Sequence, residues 1–343
     1  MNYEVTIGIP VYKAVDYIEK TMESALSQTF ACIEYLIVDD CGNDGTTKVV
    51  ERLQKEHPRG KDIRVLYNKR NLGVGKTRNI ILDQAQGEYL FFLDSDDILE
   101  PDAIEKMMKA ARQYQAEIVY GSWARVDNVH HSPVEYNQYP DLQLLRPNEL
   151  AMYAFKNYSS FQISVCNALF NLNMIRQNHM RFIDTIFWED LAFTYNLVPK
   201  VGRAVFLSDI TYHYLYRPGS LSQYQDRELI QKKEIKTNVL TIDYLKDKSL
   251  SYYDKNYFPY LCYNLEMNSF YITCYVLKHS RKIEQTFSCK ELRDYMRFPI
   301  GLSKILFFKK KRISCLMLWI IAHLPSSIFV IVIKGIGKVK HII

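Results

Sequence analysis

The sequence has no Cys-x-x-Cys pair, and its cysteines number seven, an odd count. That argues against both a disulfide framework and a zinc site, and makes a reducing cytosol the simplest home. No basic stretch precedes the first apolar run. Met1-Asn2-Tyr3-Glu4 leads straight into Val5-Thr6-Ile7-Gly8-Ile9-Pro10, which reads as a strand and not as an export signal. Acid is missing altogether after Asp294, where Arg297, Lys304, Lys309, Lys310, Lys311, Arg312, Lys334, Lys338 and Lys340 follow. The net charge of +6 therefore belongs to the C-terminal tail. The remainder is mildly acidic, so the basic balance implies no nucleic-acid partner.

At 343 residues the chain can bury a substantial core, with one large domain plus an appendage. A hydrophobic share of 48% and a charged share of 24% are those of a soluble globular protein. The rest of the chain is organised around Tyr89-Leu90-Phe91-Phe92-Leu93-Asp94-Ser95-Asp96-Asp97, where five apolar or aromatic residues run unbroken into three carboxylates. Such a run suits a strand covered on both faces, as in a parallel sheet. Its acids then sit at the edge where open α/β folds bind ligands. Asp94 and Asp96 are two apart on an extended chain, so their side chains start on one face. Two hard oxygen ligands there can hold Mg²⁺ or Mn²⁺ and leave positions open for phosphates. The bland alternative is a helix start, which Glu100-Pro101-Asp102 resembles.

Strands and helices alternate on either side. Val5–Val11 reads as a strand, 16–28 as a helix, 33–38 as a buried strand ending in Asp39-Asp40, and 47–56 as a helix. Ile63–Tyr67 reads as a third strand and 76–84 as a helix. That pitch predicts βαβ units with right-handed crossovers, which would gather Asp39, Asp40, Asn71, Arg78, Asp94 and Asp96 on one rim. Taken alone, Asp39 and Asp40 also fit turn or capping residues, and Tyr12 a packed aromatic. Gly73-Val74-Gly75-Lys76-Thr77 resembles the end of a Walker A loop, but Arg70 stands where that loop needs glycine. The segment reads instead as a loop opening a helix, with Lys76 and Arg78 near phosphate.

Five motifs carry a resemblance. They are Ile9-Pro10-Val11-Tyr12, Ser27-Gln28-Thr29, Val38-Asp39-Asp40-Cys41-Gly42-Asn43-Asp44-Gly45-Thr46, Asn71-Leu72-Gly73 with Arg78-Asn79, and Leu93-Asp94-Ser95-Asp96-Asp97. In order and spacing, over residues 5–125, they resemble family 2 glycosyltransferases of the GT-A fold. The resemblance implies a Rossmann-like, mostly parallel α/β sheet flanked by helices. It implies an inverting transferase that uses a nucleotide-diphosphate sugar and Mn²⁺ or Mg²⁺. By the same likeness Pro10, Val11 and Tyr12 line the base pocket, Asp39 bonds the pyrimidine edge, and Asn71 and Arg78 lie near the nucleotide or its phosphates. Asp94, with Ser95, lies near ribose and metal, and Asp96 ligates the metal. Cys41-Gly42-Asn43 departs from the more usual Gly-Ser, a change a turn tolerates.

Further on, 116–123 reads as a strand, and 125–139 as a polar stretch that is a loop over the site, an acceptor contact or plain surface. A helix at 148–156 and a strand-like run at 164–170 follow. Phe187-Trp188-Glu189-Asp190-Leu191 then opens a helix. Capping accounts for both acids. The chemical reading is that direct displacement at an anomeric carbon needs one carboxylate near the acceptor hydroxyl. A single base suffices for inversion, whereas carboxylates spaced for a water belong to hydrolases. The resemblance implies that this Glu-Asp motif supplies the base: Asp190, with Glu189 supporting it or contacting the sugar. Trp188 either stacks on a sugar face or packs in the core. Two short strands, 205–208 and 211–215, lead to Tyr216-Arg217-Pro218-Gly219-Ser220, where the family carries a similar Arg-x-x-Ser segment. Arg217 or Ser220 would contact phosphate there, and His213 is either a metal or phosphate neighbour or a packing residue.

From 226 to 297 the pattern is helical, rich in Tyr and Phe, without repeats, and outside the resemblance. Lys309-Lys310-Lys311-Arg312 then precedes twenty-one largely apolar residues, 313–333, interrupted by His323, Pro325, Ser326 and Ser327. The length could just span a bilayer, but basic residues flank both sides and the interruption splits the run. An in-plane or re-entrant anchor on the anionic cytoplasmic leaflet is preferred to a spanning or a buried helix. The expected layout is a catalytic domain at 1–225, a helical appendage at 226–300 and a membrane-associating tail at 301–343. The expected activity is transfer of a sugar, UDP-linked, to a hydroxyl of a glycan or lipid-linked glycan in surface polysaccharide synthesis, at the inner face of the cell membrane. One rival is a nucleotidyltransferase, which needs a Gly- and basic-rich N-terminal loop that Pro10-Val11-Tyr12-Lys13 is not. The other is a membrane-docked nucleotide-sugar-binding scaffold, in which the base would be dispensable.

Overall fold

Apolar runs bounded by turn residues become strands here because both of their faces are covered. In the computed structural model, which describes residues 3–127, 133–216 and 228–342, β1 (Val5–Val11) and β2 (Ile33–Asp39) are buried along their whole length. They are followed by β3 (Ile63–Tyr67), β4 (Tyr89–Phe92), β5 (Ile98–Leu99), β6 (Ile118–Asp127), β7 (Pro133–Asn137), β8 (Leu142–Leu144), β9 (Ala168–Asn171) and β10 (Ala204–Tyr216). Among the described residues they form one sheet in the order β3-β2-β1-β4-β9-β6-β10-β5, with β7 beside β6 and β8 beside β10.

β3, β2, β1 and β4 pair in parallel. β9 runs antiparallel to both β4 and β6, and β10 is parallel to β6. β1 to β4, β6 and β10 therefore all point one way, and their C-terminal ends share one rim. The helix Val74–Gln84 packs on β1 and β2, and the helix Ala103–Tyr114 on β6 and β10. The first of these approaches so closely that a Cβ on Gly8 would run into the Ile81 side chain.

Two expectations change. The pair of short strands at 205–208 and 211–215 is one strand, β10, whose register on β6 shifts between Phe206 and Ile210 and again before Tyr212. The polar gap in the pattern is a bulged stretch, which bends a strand without ending it. Part of the polar stretch 125–139 is also sheet, because β6 runs on to Asp127 and β7 pairs back against it. Residues 128–132 lie outside the described residues.

Packing divides the chain into two compact units. The first, Met1–Leu150, Gln162–Asp184 and Leu197–Gly219, carries the sheet. The second, Ala151–Phe161, Thr185–Asn196 and Ser220–Ile343, is helical, so two segments from before residue 225 pack with the C-terminal helices. Within it Asn264 Nδ2 donates to the Phe155 carbonyl at 2.8 Å, and Asn196 Nδ2 to the Tyr244 hydroxyl at 3.2 Å. Phe258, Cys262, Ile305, Phe308 and Cys315 form an apolar cluster. The apolar tail folds as two helices, Arg312–Ala322 and Ser326–Val339, parted at Pro325, which cannot continue the first helix. Among the described residues no helix is long and apolar enough to cross a membrane.

Candidate functional site

On the rim, β1 ends at Val11 in register with Asp39 at the end of β2, and the Asp40 N–H donates to the Val11 carbonyl at 2.8 Å. Both segments then turn sharply, with Lys13, Cys41, Asn43 and Gly45 all in the left-handed region. Asp44 ties the two turns together. Its carboxylate accepts from the Thr46 hydroxyl at 2.7 Å and from the Val15 N–H at 3.1 Å. A Cβ on Gly42 would lie 2.9 Å from the Lys13 nitrogen, so this approach of two backbones needs glycine. Asp39, buried, accepts the Gly42 N–H at 3.2 Å. Burial pushes its pKa up, and the nearby Asp44 and Asp40 charges add to that against the turn's N–H groups. Tyr12 stands half-exposed beside this turn, with Lys13 Nζ 5.3 Å from its ring centre.

The neighbouring acid has a different task. Asp40 accepts the Leu72 and Gly73 N–H groups and the Asn68 amide, each at 2.8 Å. It anchors the 71–73 loop and the start of the helix Val74–Gln84, while Asn71 itself is exposed. Arg78 on that helix is buried, with Nη2 3.0 Å from Asp94 Oδ1 and its guanidinium over the Phe182 ring. Lys76 is instead an exposed ion pair with Asp184 at 2.7 Å.

Asp94, Ser95, Asp96 and Asp97 follow the end of β4. Asp97 turns inward and accepts the Tyr212 hydroxyl at 2.7 Å and the Leu215 N–H at 2.9 Å. Burial, then the charges of Asp96 and Asp94, hold its carboxyl well above the usual range. The third acid of the run is therefore a structural clasp, and its partner Tyr212 had no mark in the sequence beyond membership of a β-rich run. His213 pairs through Nε2 with Glu100 at 2.6 Å, and its Nδ1 is buried without a hydrogen-bond partner. Arg217 and Ser220, expected as phosphate contacts, lie outside the described residues.

Asp94 and Asp96 offer the hard carboxylate oxygens that Mn²⁺ or Mg²⁺ takes. Among the described residues no group of three or more His, Cys, Asp or Glu side chains is arranged to hold a metal. The donor set therefore fits only a cation that completes its shell with water or with a substrate's phosphates. Glu189 and Asp190 belong to the second unit. Both are half-buried in the first turn of the helix Glu189–Leu197. Trp188, just before them, has a φ of +66°.

The glycosyl transferase family 2 profile matches residues 6–178, half of the chain. TuaG of Bacillus subtilis, a glycosyltransferase assigned to teichuronic acid biosynthesis, is 42% identical over 105 residues, covering 31% of this chain and 40% of that protein. Glycosyltransferase GlyG of Streptococcus pneumoniae is 25% identical over 227 residues, covering 64% and 73%. The chain thus spans less than half the length of the first relative and about three quarters of the second. S. aureus TarS 1–349, solved with UDP-GlcNAc, superposes with a TM-score of 0.57 at 18% identity, over 85% of this chain and 89% of that one. The mannosyltransferase PcManGT of Pyrobaculum calidifontis, solved with GDP-Man and Mn²⁺, gives 0.55 at 14% identity, over 99% and 88%. At such identities the likeness establishes a shared fold, as the mostly parallel sheet and its rim led us to expect. With the profile spanning half of its length and the motifs in place, the chain belongs to glycosyl transferase family 2.

Proposed function

We propose that the chain is an inverting, metal-dependent glycosyltransferase that moves a sugar from a UDP-linked donor to a hydroxyl of a glycan or lipid-linked glycan in surface polysaccharide synthesis. The observation that carries this reading is the rim of the first unit. There a buried carboxylate, Asp39, ends β2, and a buried guanidinium, Arg78, meets Asp94 beyond β4. One suits the N–H edge of a base and the other the charge of a diphosphate. TarS with UDP-GlcNAc and PcManGT with GDP-Man and Mn²⁺ support a nucleotide-sugar donor and a cation. The relatives in teichuronic acid and succinoglycan biosynthesis support a polysaccharide product.

In this reading Pro10, Val11 and Tyr12 flank the base, Asp39 accepts its N–H, and Asn71, Arg78 and Arg217 attend the phosphates. Ser95 and Asp94 lie by the ribose, and Asp94 with Asp96 would hold the cation, with His213 alongside. When bound, that ion offsets the charge left on the departing diphosphate. Asp190 takes the proton of the acceptor hydroxyl as it attacks the anomeric carbon opposite the diphosphate, which inverts the centre. Glu189 supports Asp190 or contacts the sugar. Residues 1–225 carry the chemistry, 226–300 the helical appendage, and 301–343 a foot lying in the plane of the inner membrane face.

The family match lends nothing to a nucleotidyltransferase. The test is the melting temperature of the intact chain with UDP- and GDP-sugars, with and without Mn²⁺, since only native-state ligands raise it. A rise that needs both supports the reading, and no rise with any nucleotide sugar overturns it. Asp190→Asn should lose about 10²–10⁴-fold in transfer while keeping the donor-induced rise. Unchanged turnover would favour the scaffold.

A further inference from the structure

The second unit contains a cavity of about 420 Å³, within the range of small-molecule sites. Its walls come from Phe187 and Trp188 and from the helices Lys232–Ser249 and Phe258–Lys278. Of its lining, the sequence marks only Phe187 and Trp188, in the segment that opens the Glu189–Leu197 helix.

Three properties define what it can hold. The first is aromatic surface. Trp188 and Tyr271 line the cavity, and Trp188 is held at a φ of +66°. For a bulky residue this is a strained backbone, of the kind that clusters at ligand sites. The second is an unanswered polar atom. Asn238 is 7% exposed, lines the cavity, and its Oδ1 has no hydrogen-bond partner. A buried amide oxygen left this way is destabilising, a cost that a ligand hydroxyl would remove.

The third is positive charge. Lys278 and Lys282 both line the cavity. Lys278 Nζ donates to the Ile342 carbonyl at 2.9 Å, and among the described residues no carboxylate forms an ion pair with either lysine. Glu234 also stands in the wall, so the lining carries two ammonium groups and one carboxylate. His279 between them is held below the usual imidazole range, by burial first and then by Lys282 and Lys278. Cationic and aromatic side chains thus line one cavity.

The geometry points to an acceptor site for an acidic saccharide: a sugar ring against Trp188 and Tyr271, a hydroxyl on Asn238 Oδ1, and a phosphate or carboxylate substituent between Lys278 and Lys282. This deepens the transferase reading and rests on it, because the cavity begins one residue before the Glu189-Asp190 pair. A purely neutral glycan would offer the two ammonium groups no counter-charge, and a simple anion would leave the aromatic surface and the amide unused.

The test uses the full chain with UDP and Mn²⁺ at saturation, so that small sugars meet a filled donor site. Glucose, glucuronate and glucose 6-phosphate are titrated by calorimetry or ligand-observed NMR. The two acidic sugars separate carboxylate from phosphate as the recognised group. We expect at least one of them to bind tenfold or more tightly than glucose. Lys278→Gln with Lys282→Gln should erase that preference, and Lys278→Arg with Lys282→Arg should keep it. Both lysines are exposed, so the fold should tolerate the changes. Equal binding of glucose and its acidic derivatives, no binding of any of them, or an undiminished preference in the double Gln variant would each overturn the assignment. If nucleotide sugars bind and are transferred while the cavity refuses acidic sugars, only the acceptor assignment falls. If nucleotide sugars never bind, it is the transferase reading that falls.

Discussion

The Tyr212 hydroxyl donates to the Asp97 carboxylate at 2.7 Å, and the same oxygen receives the Asp94 N–H at 3.3 Å. One buried phenol on β10 thus fixes both ends of the acidic turn after β4. Tyr212→Phe removes the donor to a buried carboxylate and the acceptor for a backbone N–H. The expected loss is about 1–3 kcal/mol of stability, as each orphaned polar group costs on that order. Nucleotide-sugar binding in the presence of Mn²⁺ should weaken as well, because the turn that carries Asp94 and Asp96 loosens. Denaturant melts and a donor titration measure the two effects. Wild-type values in both would mean the turn holds without Tyr212.

How much of this was legible in the sequence depends on the range of the interaction. Strands β1 to β4 are readable because their apolar runs are local, and the rim follows from strand alternation. The division of labour within each acid cluster is not local. Asp94 and Asp97 are the same residue type three positions apart, and their fates are parted by a tyrosine 115 residues beyond Asp97. Asp39 closes β2 and Asp40 lies just beyond it, and their carboxylates reach different partners, the Gly42 N–H and the 71–73 loop. Which of the two meets that loop needs the fold. The recruitment of Thr185–Asn196 into the helical unit was also invisible, since it depends on packing against helices far along the chain.

Asp39 and Asp40 should separate in experiment. Asp39 titrates above its usual range because it is buried, so its protonation favours the folded state. That contribution is complete below the unfolded value of about 3.9 and is lost as pH rises through the higher folded value. Asp39→Asn should therefore match or exceed wild-type stability near neutral pH, yet bind nucleotide more weakly by about 1.5–3 kcal/mol, a charged hydrogen bond's worth. Asp40→Ala leaves the Leu72 and Gly73 N–H groups and the Asn68 amide without an acceptor. It should cost roughly 3 kcal/mol of stability, about one for each bond. Paired urea melts and nucleotide titrations check both, and a stable Asp40→Ala protein would contradict the anchoring role.

In the second unit Lys246 and Glu266 form a fully buried ion pair at 3.0 Å, and the Lys246 ammonium also donates to the Arg297 carbonyl at 2.8 Å. Burial pushes Glu266 up to about 7 despite the lysine. Its folded value exceeds the unfolded one, so this contribution is complete below about 4.5 and fades as pH rises through 7. Stability should decline across that window. Lys246→Met alone strands a buried carboxylate and should cost about 3–5 kcal/mol. Lys246→Met with Glu266→Leu should cost far less and flatten the decline. Urea melts from pH 4.5 to 8 decide it, and a double variant that keeps the wild-type slope would exonerate Glu266.

The C-terminal helices expose apolar side chains that ordinary surfaces keep covered: Phe307 is 83% exposed, Ile313 71% and Ile331 70%. Lys309, Lys310 and Arg312 are exposed beside them, in a stretch without a single acid after Asp294. Seating each large apolar side chain in a bilayer interface is worth up to about 1.5–3 kcal/mol. Each basic residue adds about 1 kcal/mol near an anionic leaflet. The intact chain should therefore sediment with vesicles containing anionic lipid, and only partly leave them in high salt, because screening removes the charge contribution and not the apolar one. Phe307→Ser, Ile313→Ser and Ile331→Ser together should reduce binding at least tenfold without lowering the melting temperature, since these side chains support no core. Neutralising Lys309, Lys310 and Arg312 should instead remove the salt dependence. A chain that stays in the supernatant with anionic vesicles at low salt would leave these helices without a membrane role.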